Sequence, residues 1–167
     1  NNAPMPTYVL EVELLGDNGV ETEPNEDQAT ANANFTGGVS DVYVFGDHTL
    51  NADSDYYAID VPVNGSSLRL ELFEGDRAVL SCESFGLDSR VTLYDPTGVQ
   101  LVDDDDDGRG YCSLIDGTGA GTTRQDPNAH NLPAGTYYVQ VRASTFAQGM
   151  DIEGQFTYRL AVTVREP

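Results

Sequence analysis

A two-residue alternation of apolar and polar side chains, cleanest in Leu68-Arg-Leu70-Glu-Leu72, is the feature that most limits how this chain folds. Successive side chains of a β-strand point to opposite faces, so such a run buries its leucines and leaves its charges in water. Tyr8 to Leu14, Gly135 to Arg142 and Phe156 to Val164 repeat the pattern. Shorter strand-like runs cover Asp55 to Val63, Val79 to Phe85, Ser89 to Tyr94 and Val99 to Val102, and Val39 to Phe45 reads as a strand ending at Gly46-Asp47. No window carries sustained apolar residues at the three- and four-residue spacing of a helix, and Gly, Pro, Asp and Asn punctuate the runs. The expectation is an all-β fold, an antiparallel β-sandwich of jelly-roll-like form.

Two stretches fall outside the alternation. Ala29 to Phe35 reads as a short turn or helix. Gly110 to Asn131, rich in Gly and poor in apolar residues, reads as an insertion loop, and with neither a following Lys nor a helix start it does not cradle phosphate. At 167 residues the chain is long enough for one domain with its own core. Residues 1–19 then form a leading strand and linker.

Asp and Glu outnumber the basic residues 28 to 8, for a formal net charge of −20. That charge repels nucleic acid and anionic membrane surfaces, and it suits cations. Cys82 and Cys112 lie 30 positions apart without a CxxC partner or a neighbouring His. A disulfide typical of an exported protein is the favoured reading, and two unrelated buried thiols the other. With no signal peptide, no apolar run of about 18 residues and no initiator Met, the sequence reads as a mature or excised piece of something longer.

Acidic residues concentrate in three places. Glu21-Thr-Glu23-Pro-Asn25-Glu26-Asp27 puts Glu21, Glu23 and Asn25 on one side of an extended segment. Asp53-Ser-Asp55 repeats the alternate spacing just before a strand. Together they read as two halves of a calcium site, because Ca2+ takes roughly six to eight oxygen ligands and no single segment closes that shell. Each half alone also fits a solvated acidic turn. The third place is Asp103 to Asp107 followed by Gly108. Asp103, Asp105 and Asp107 match the front of a D-x-D-x-D-G calcium loop, but Leu114 stands where an EF-hand needs its closing Glu, so an EF-hand is rejected. A second, looser cation site, with Asp116 as an extra ligand, and a merely solvated loop both stay open.

Catalytic signals are sparse. His48 and His130 lie in polar stretches and read as exposed loop residues, and neither a G-x-S-x-G elbow nor an H-E-x-x-H helix is present. The carboxylates group like ligands instead of facing one another across a cleft. The chain reads as non-enzymatic.

The segments Glu21 to Glu26 and Asp53 to Tyr57, with Leu93-Tyr-Asp-Pro-Thr-Gly98 and Leu132-Pro-Ala-Gly-Thr-Tyr-Tyr-Val139, resemble the motifs of the bacterial pre-peptidase C-terminal (PPC) domain over about residues 20–165. The resemblance implies Ca2+ ligation by Glu21, Glu23, Asn25, Glu26, Asp53 and Asp55. It departs at Glu26, where the family more often has the shorter Asp. It further implies a secreted or cell-surface accessory module whose partner is the catalytic domain of a parent protease or other hydrolase. The related collagen-binding modules offer the alternative of a ligand-binding role toward collagen-like protein or polysaccharide.

Overall fold

The computed structural model describes residues 14–49, 53–76, 82, 87–119, 126–144 and 155–167. Among the described residues, ten strands make up two five-stranded sheets: β1 (Gly16–Val20), β2 (Asn32–Phe35), β3 (Val42–His48), β4 (Asp55–Val61), β5 (Ser67–Glu74), β6 (Ser89–Tyr94), β7 (Gln100–Asp104), β8 (Leu114–Asp116), β9 (Gly135–Ala143) and β10 (Phe156–Arg165). One sheet has the order β1-β3-β10-β5-β8 and the other β2-β4-β9-β6-β7. Leu68, Leu70 and Leu72 of β5 meet Leu160 and Val162 of β10 in the same buried cluster as Tyr57, Ile59, Leu93, Val139 and Val141 of the second sheet. The inward residues are the apolar members of each alternating run. Each buried Leu or Ile contributes about 1.5–3 kcal/mol relative to exposure, which makes the inter-sheet layer the main stabilising element.

The expected antiparallel sandwich forms, with two additions. β1 runs parallel to β3 and β2 runs parallel to β4, both at sheet edges. Each parallel pair is reached through a connection that passes by a strand of the other sheet, since the first five strands alternate between the sheets. The stretch Ala29 to Phe35, expected as a turn or helix, keeps a turn at Ala29 and Thr30 and then forms β2, because Phe35 buries completely against the Tyr57 ring at 5.6 Å. β1 occupies the stretch expected to be linker. Asn18 and Asn34 each donate a side-chain amide to the other's backbone carbonyl, and the Asn32 side chain accepts the Thr22 N–H at Oδ1 and donates Nδ2 to the Thr22 carbonyl, so amide side chains fasten these two edges across the corner of the sandwich.

Other boundaries moved for identifiable reasons. β3 does not stop at Gly46: it continues to His48, because Gly46 pairs with Tyr158 of β10 and lies beneath its ring. A Cβ on Gly46 would stand 2.1 Å from Tyr158 Cζ, so only a bare Cα fits there. The stretch read as an insertion loop contributes β8, which pairs with β5 and buries Ile115. The disulfide between Cys82 and Cys112 is present, and Cys82 also bridges Gly110. Of the expected strand at 79–85 only Cys82 is among the described residues, and the expected strand at 8–14 lies outside them except for Leu14.

Candidate metal centre

Glu21 directly follows β1, and its N–H donates to the Phe45 carbonyl at 2.9 Å, holding the chain beside β3 as the strand ends. Beyond a cis Glu23–Pro24 bond, Asn25 is fully buried, and its carbonyl accepts the Tyr56 N–H of β4 at 2.8 Å. That bond docks the acidic turn against the start of the strand carrying Asp55. Oxygens of Glu21, Glu23 and Asp55 consequently lie within 4.8 Å of one another. Asp55 is buried, Glu21 half-buried and Glu23 exposed, so the cluster runs from the interior to solvent.

Hydrogen bonds assign the atoms unequally. Tyr158 donates its hydroxyl to Asp55 Oδ2 at 2.6 Å and Tyr57 donates to Glu21 Oε2 at 2.7 Å, while the two hydroxyls stand 2.7 Å apart. Asn25 Nδ2 also donates to Glu21 Oε2, and the Asn25 N–H to Glu23 Oε2. The Asp47 N–H donates to Glu21 Oε1. Asp55 Oδ1 and Asn25 Oδ1 are buried with no hydrogen-bond partner. Buried polar atoms are nearly always paired, and leaving one unmade costs about 1–3 kcal/mol, more for a charged group.

The electrostatics agree with that picture. Burial, and next the charge of Glu21, push the Asp55 carboxyl up to about 8 despite the opposing Tyr158 hydrogen bond. Partial desolvation, followed by the charges of Asp53 and Glu21, raises Glu23. Burial raises both Tyr57 and Tyr158 well above the ordinary phenol range, so each stays protonated as a donor.

Of the six expected ligands, the fold brings together Glu21, Glu23 and Asp55, with Asn25 beside them. Asp53 stands outside this close group. Its Oδ2 accepts the N–H and hydroxyl of Thr49 at 2.7 and 3.0 Å, and its Oδ1 accepts the Ser54 N–H. Glu26 is exposed and also outside the group. Tyr57 and Tyr158, whose hydroxyls bond these carboxylates, are not singled out by the sequence as site residues. The one local hint was that Tyr57 follows Asp55 at the alternate spacing.

The run at 103–107 is arranged differently. Asp103 pairs with Arg90 and accepts from Gln100 Nε2, and Asp104 Oδ2 accepts the Leu114 and Asp107 N–H groups at 2.7 and 3.1 Å. Asp106 and Asp107 are exposed, and Asp116 is held by Arg69 and Thr118. Among the described residues, Asp103, Asp105 and Asp107 form no cluster like that of Glu21, Glu23 and Asp55.

Both histidines differ from expectation. His48 is fully buried on β3, stacked on Phe156 with ring centroids 4.9 Å apart, because β3 extends past Gly46 into the sheet. His130 Nδ1 lies 2.6 Å from Ser67 Oγ and 3.1 Å from the Gly117 carbonyl, tying the start of β5 to the segment after β8. The paired Ser67 is itself buried.

The molecule is therefore a two-sheet β-sandwich with an all-oxygen cluster at one corner. It is similar to the pre-peptidase C-terminal domain of collagenase from Bacillus anthracis, at 13% identity and a TM-score of 0.46, over 93% of this chain and 100% of that one. It is also similar to PliG of Aeromonas hydrophila, a periplasmic inhibitor of g-type lysozyme, at 14% identity and a TM-score of 0.47, over 92% of this chain and 100% of that one. No protein-family model and no curated protein matches the sequence. The expected likeness to a pre-peptidase C-terminal domain is thus found.

Proposed function

We propose that this chain is a calcium-binding, non-catalytic accessory module of a larger exported protein, secreted or held at the cell surface, with the catalytic domain of a parent protease or other hydrolase as its partner. The observation that carries the calcium reading is the pair of buried, unpartnered oxygens, Asp55 Oδ1 and Asn25 Oδ1, beside the carboxylates of Glu21 and Glu23. Oxygen donors with several negative charges and no nitrogen or sulfur fit a hard cation, and Ca2+ tolerates an irregular shell better than Mg2+ does. Glu21, Glu23, Asn25 and Asp55 would hold the ion, with Asp53 and Glu26 near enough in the chain to add oxygens. A bound cation would supply charge neutralisation. The disulfide supports an oxidising compartment.

The test is calorimetric titration of the purified chain with CaCl2 and MgCl2, alongside melting curves in calcium and in EDTA. Heat on calcium addition and a higher melting temperature in calcium are expected. Identical melting curves in both media, with no heat, would remove the proposal. The accessory role is tested separately, by expressing the parent protein with and without this segment and following export and activity.

A further inference from the structure

Tyr57 and Tyr158 reach the acidic cluster from different sheets, one on β4 and the other on β10, and their rings belong to the shared core. Their positions are fixed independently of the carboxylates. Tyr57 packs against Phe35, and Tyr158 packs against Phe156 while lying over the bare Cα of Gly46. Neither hydroxyl is spent on backbone. Both are directed at the acids and at each other, and Tyr158 Oη is also 3.2 Å from Glu21 Oε2.

The consequence is geometric. Asp55 has two oxygens, and Tyr158 takes Oδ2, which turns Oδ1 away from the phenol and leaves it unpartnered. Asn25 has one oxygen and one nitrogen, and Glu21 Oε2 takes the nitrogen, which leaves the buried Oδ1 without a partner. Glu21 Oε2 is in turn anchored by Tyr57. Hydrogen bonds to a charged acceptor are shorter and about twice as strong as neutral ones, and a buried pair fixes the acceptor's plane as well as its place.

Resting on the calcium reading above, we infer that Tyr57 and Tyr158 are positioning residues of the cation site: their paired hydroxyls hold Asp55 Oδ2 and Glu21 Oε2, which leaves Asp55 Oδ1 without a protein partner and Glu21 Oε1 beside the Asp47 N–H, and so orient these carboxylates for the metal. A merely structural role would make these hydroxyls matter equally with and without calcium. A positioning role makes them matter chiefly to calcium affinity.

The two roles separate in the variants Tyr57→Phe and Tyr158→Phe, each titrated with CaCl2 and melted in EDTA. Tyr137→Phe is the control, because Tyr137 is equally buried and its hydroxyl donates to the Pro133 carbonyl. Loss of one anchoring hydroxyl is expected to raise the calcium Kd by about tenfold in either site variant, while the melting temperature in EDTA stays near that of the control. The Tyr137 variant should bind calcium as the unaltered chain does. Site variants with a Kd within about twofold of the unaltered chain would overturn the inference and leave the calcium reading standing. Absence of calcium binding by the unaltered chain overturns both. If Tyr158→Phe fails to fold, Tyr57→Phe decides the question alone.

Discussion

Two acidic regions of this molecule look alike in sequence and differ in what the fold makes of them. Asp103 to Asp107 is the denser, yet its carboxylates end up beside Arg90, on the Leu114 amide, or in solvent. Asp105 Oδ1 is buried without a partner, but among the described residues it belongs to no group of three converging carboxylates. The corner cluster has fewer acids, drawn from the segment after β1 and the start of β4, and these do converge. Consecutive residues in extended chain alternate in direction and disperse their charge, whereas separate segments can be aimed at one point. Convergence from distant segments, and not local density, marks the candidate site.

The largest effect that separates the regions comes from the disulfide, which lies next to the acidic run through the Cys82 N–H to Arg109 and Gly108 N–H to Cys112 carbonyl bonds. Replacing both cysteines with Ala should lower stability by about 3–4 kcal/mol, from the loop-closure entropy of a 30-residue separation. Calcium affinity of the still-folded variant should not change. A denaturant titration with a parallel calcium titration checks both, and a large loss of affinity would show the regions to be coupled.

Next in size is Asp55→Ala set against Asp105→Ala. Calcium at about a hundredfold excess over its Kd contributes about 2.7 kcal/mol, which in a chain of this size is roughly 5–10 °C of melting temperature. That increment should vanish in Asp55→Ala and survive in Asp105→Ala. Scanning calorimetry in calcium and in EDTA measures it, and loss of the increment in the Asp105 variant would reverse the comparison.

Acidity gives a finer separation. A carboxyl raised in the folded state stabilises fully below its unfolded value near 4, and the contribution is lost as pH rises through the folded value. For Asp55 that window extends to about 8, and for half-buried Asp104, raised mainly by burial, it ends at about 6. The metal-free protein should therefore melt higher at pH 5 than at pH 8. Calcium, which needs the ionised carboxylate, should abolish the upper part of the slope and leave the part between about 4 and 6. Melting curves across that range test it, and a calcium-insensitive slope above pH 6 would assign the effect elsewhere.

The smallest effect belongs to the Arg90–Asp103 pair, whose side chains are each a little over a quarter exposed. Asp103→Asn should cost less than about 1 kcal/mol, with no change in calcium response. A cost several times larger, read by chemical denaturation, would show that the acidic run has a structural weight this comparison denies it.

The strands with long alternation, β5, β6, β9 and β10, were legible because burial on one face writes the period directly into the sequence. β1 and β2 were not, since Gly16-Asp-Asn-Gly-Val20 and Asn32-Ala-Asn-Phe35 are short edge strands fastened by amide side chains, with Phe35 alone of their residues in the core. Gly46 resembled a turn, and the residue that keeps it in the sheet is Tyr158, over a hundred positions later. The cluster itself was half legible. Alternate spacing placed Glu21, Glu23, Asn25 and Asp55, but nothing local told that Asp53 would accept from Thr49 instead, or that the Tyr158 hydroxyl would reach Asp55.

The Tyr158 hydroxyl lies 137 positions along the chain from Glu21 and 103 from Asp55. A chain emerging N-terminus first carries its acidic turn early and meets the phenol only after the nine other described strands have been made. Such long-range closure is slow relative to local pairing, because the loop entropy must be overcome before the contact forms. A chain that stops short of β10 presents the carboxylates without the Tyr158 hydroxyl, so the corner would register whether β10 is in place. Full calcium affinity would appear only once the last strand has taken its place.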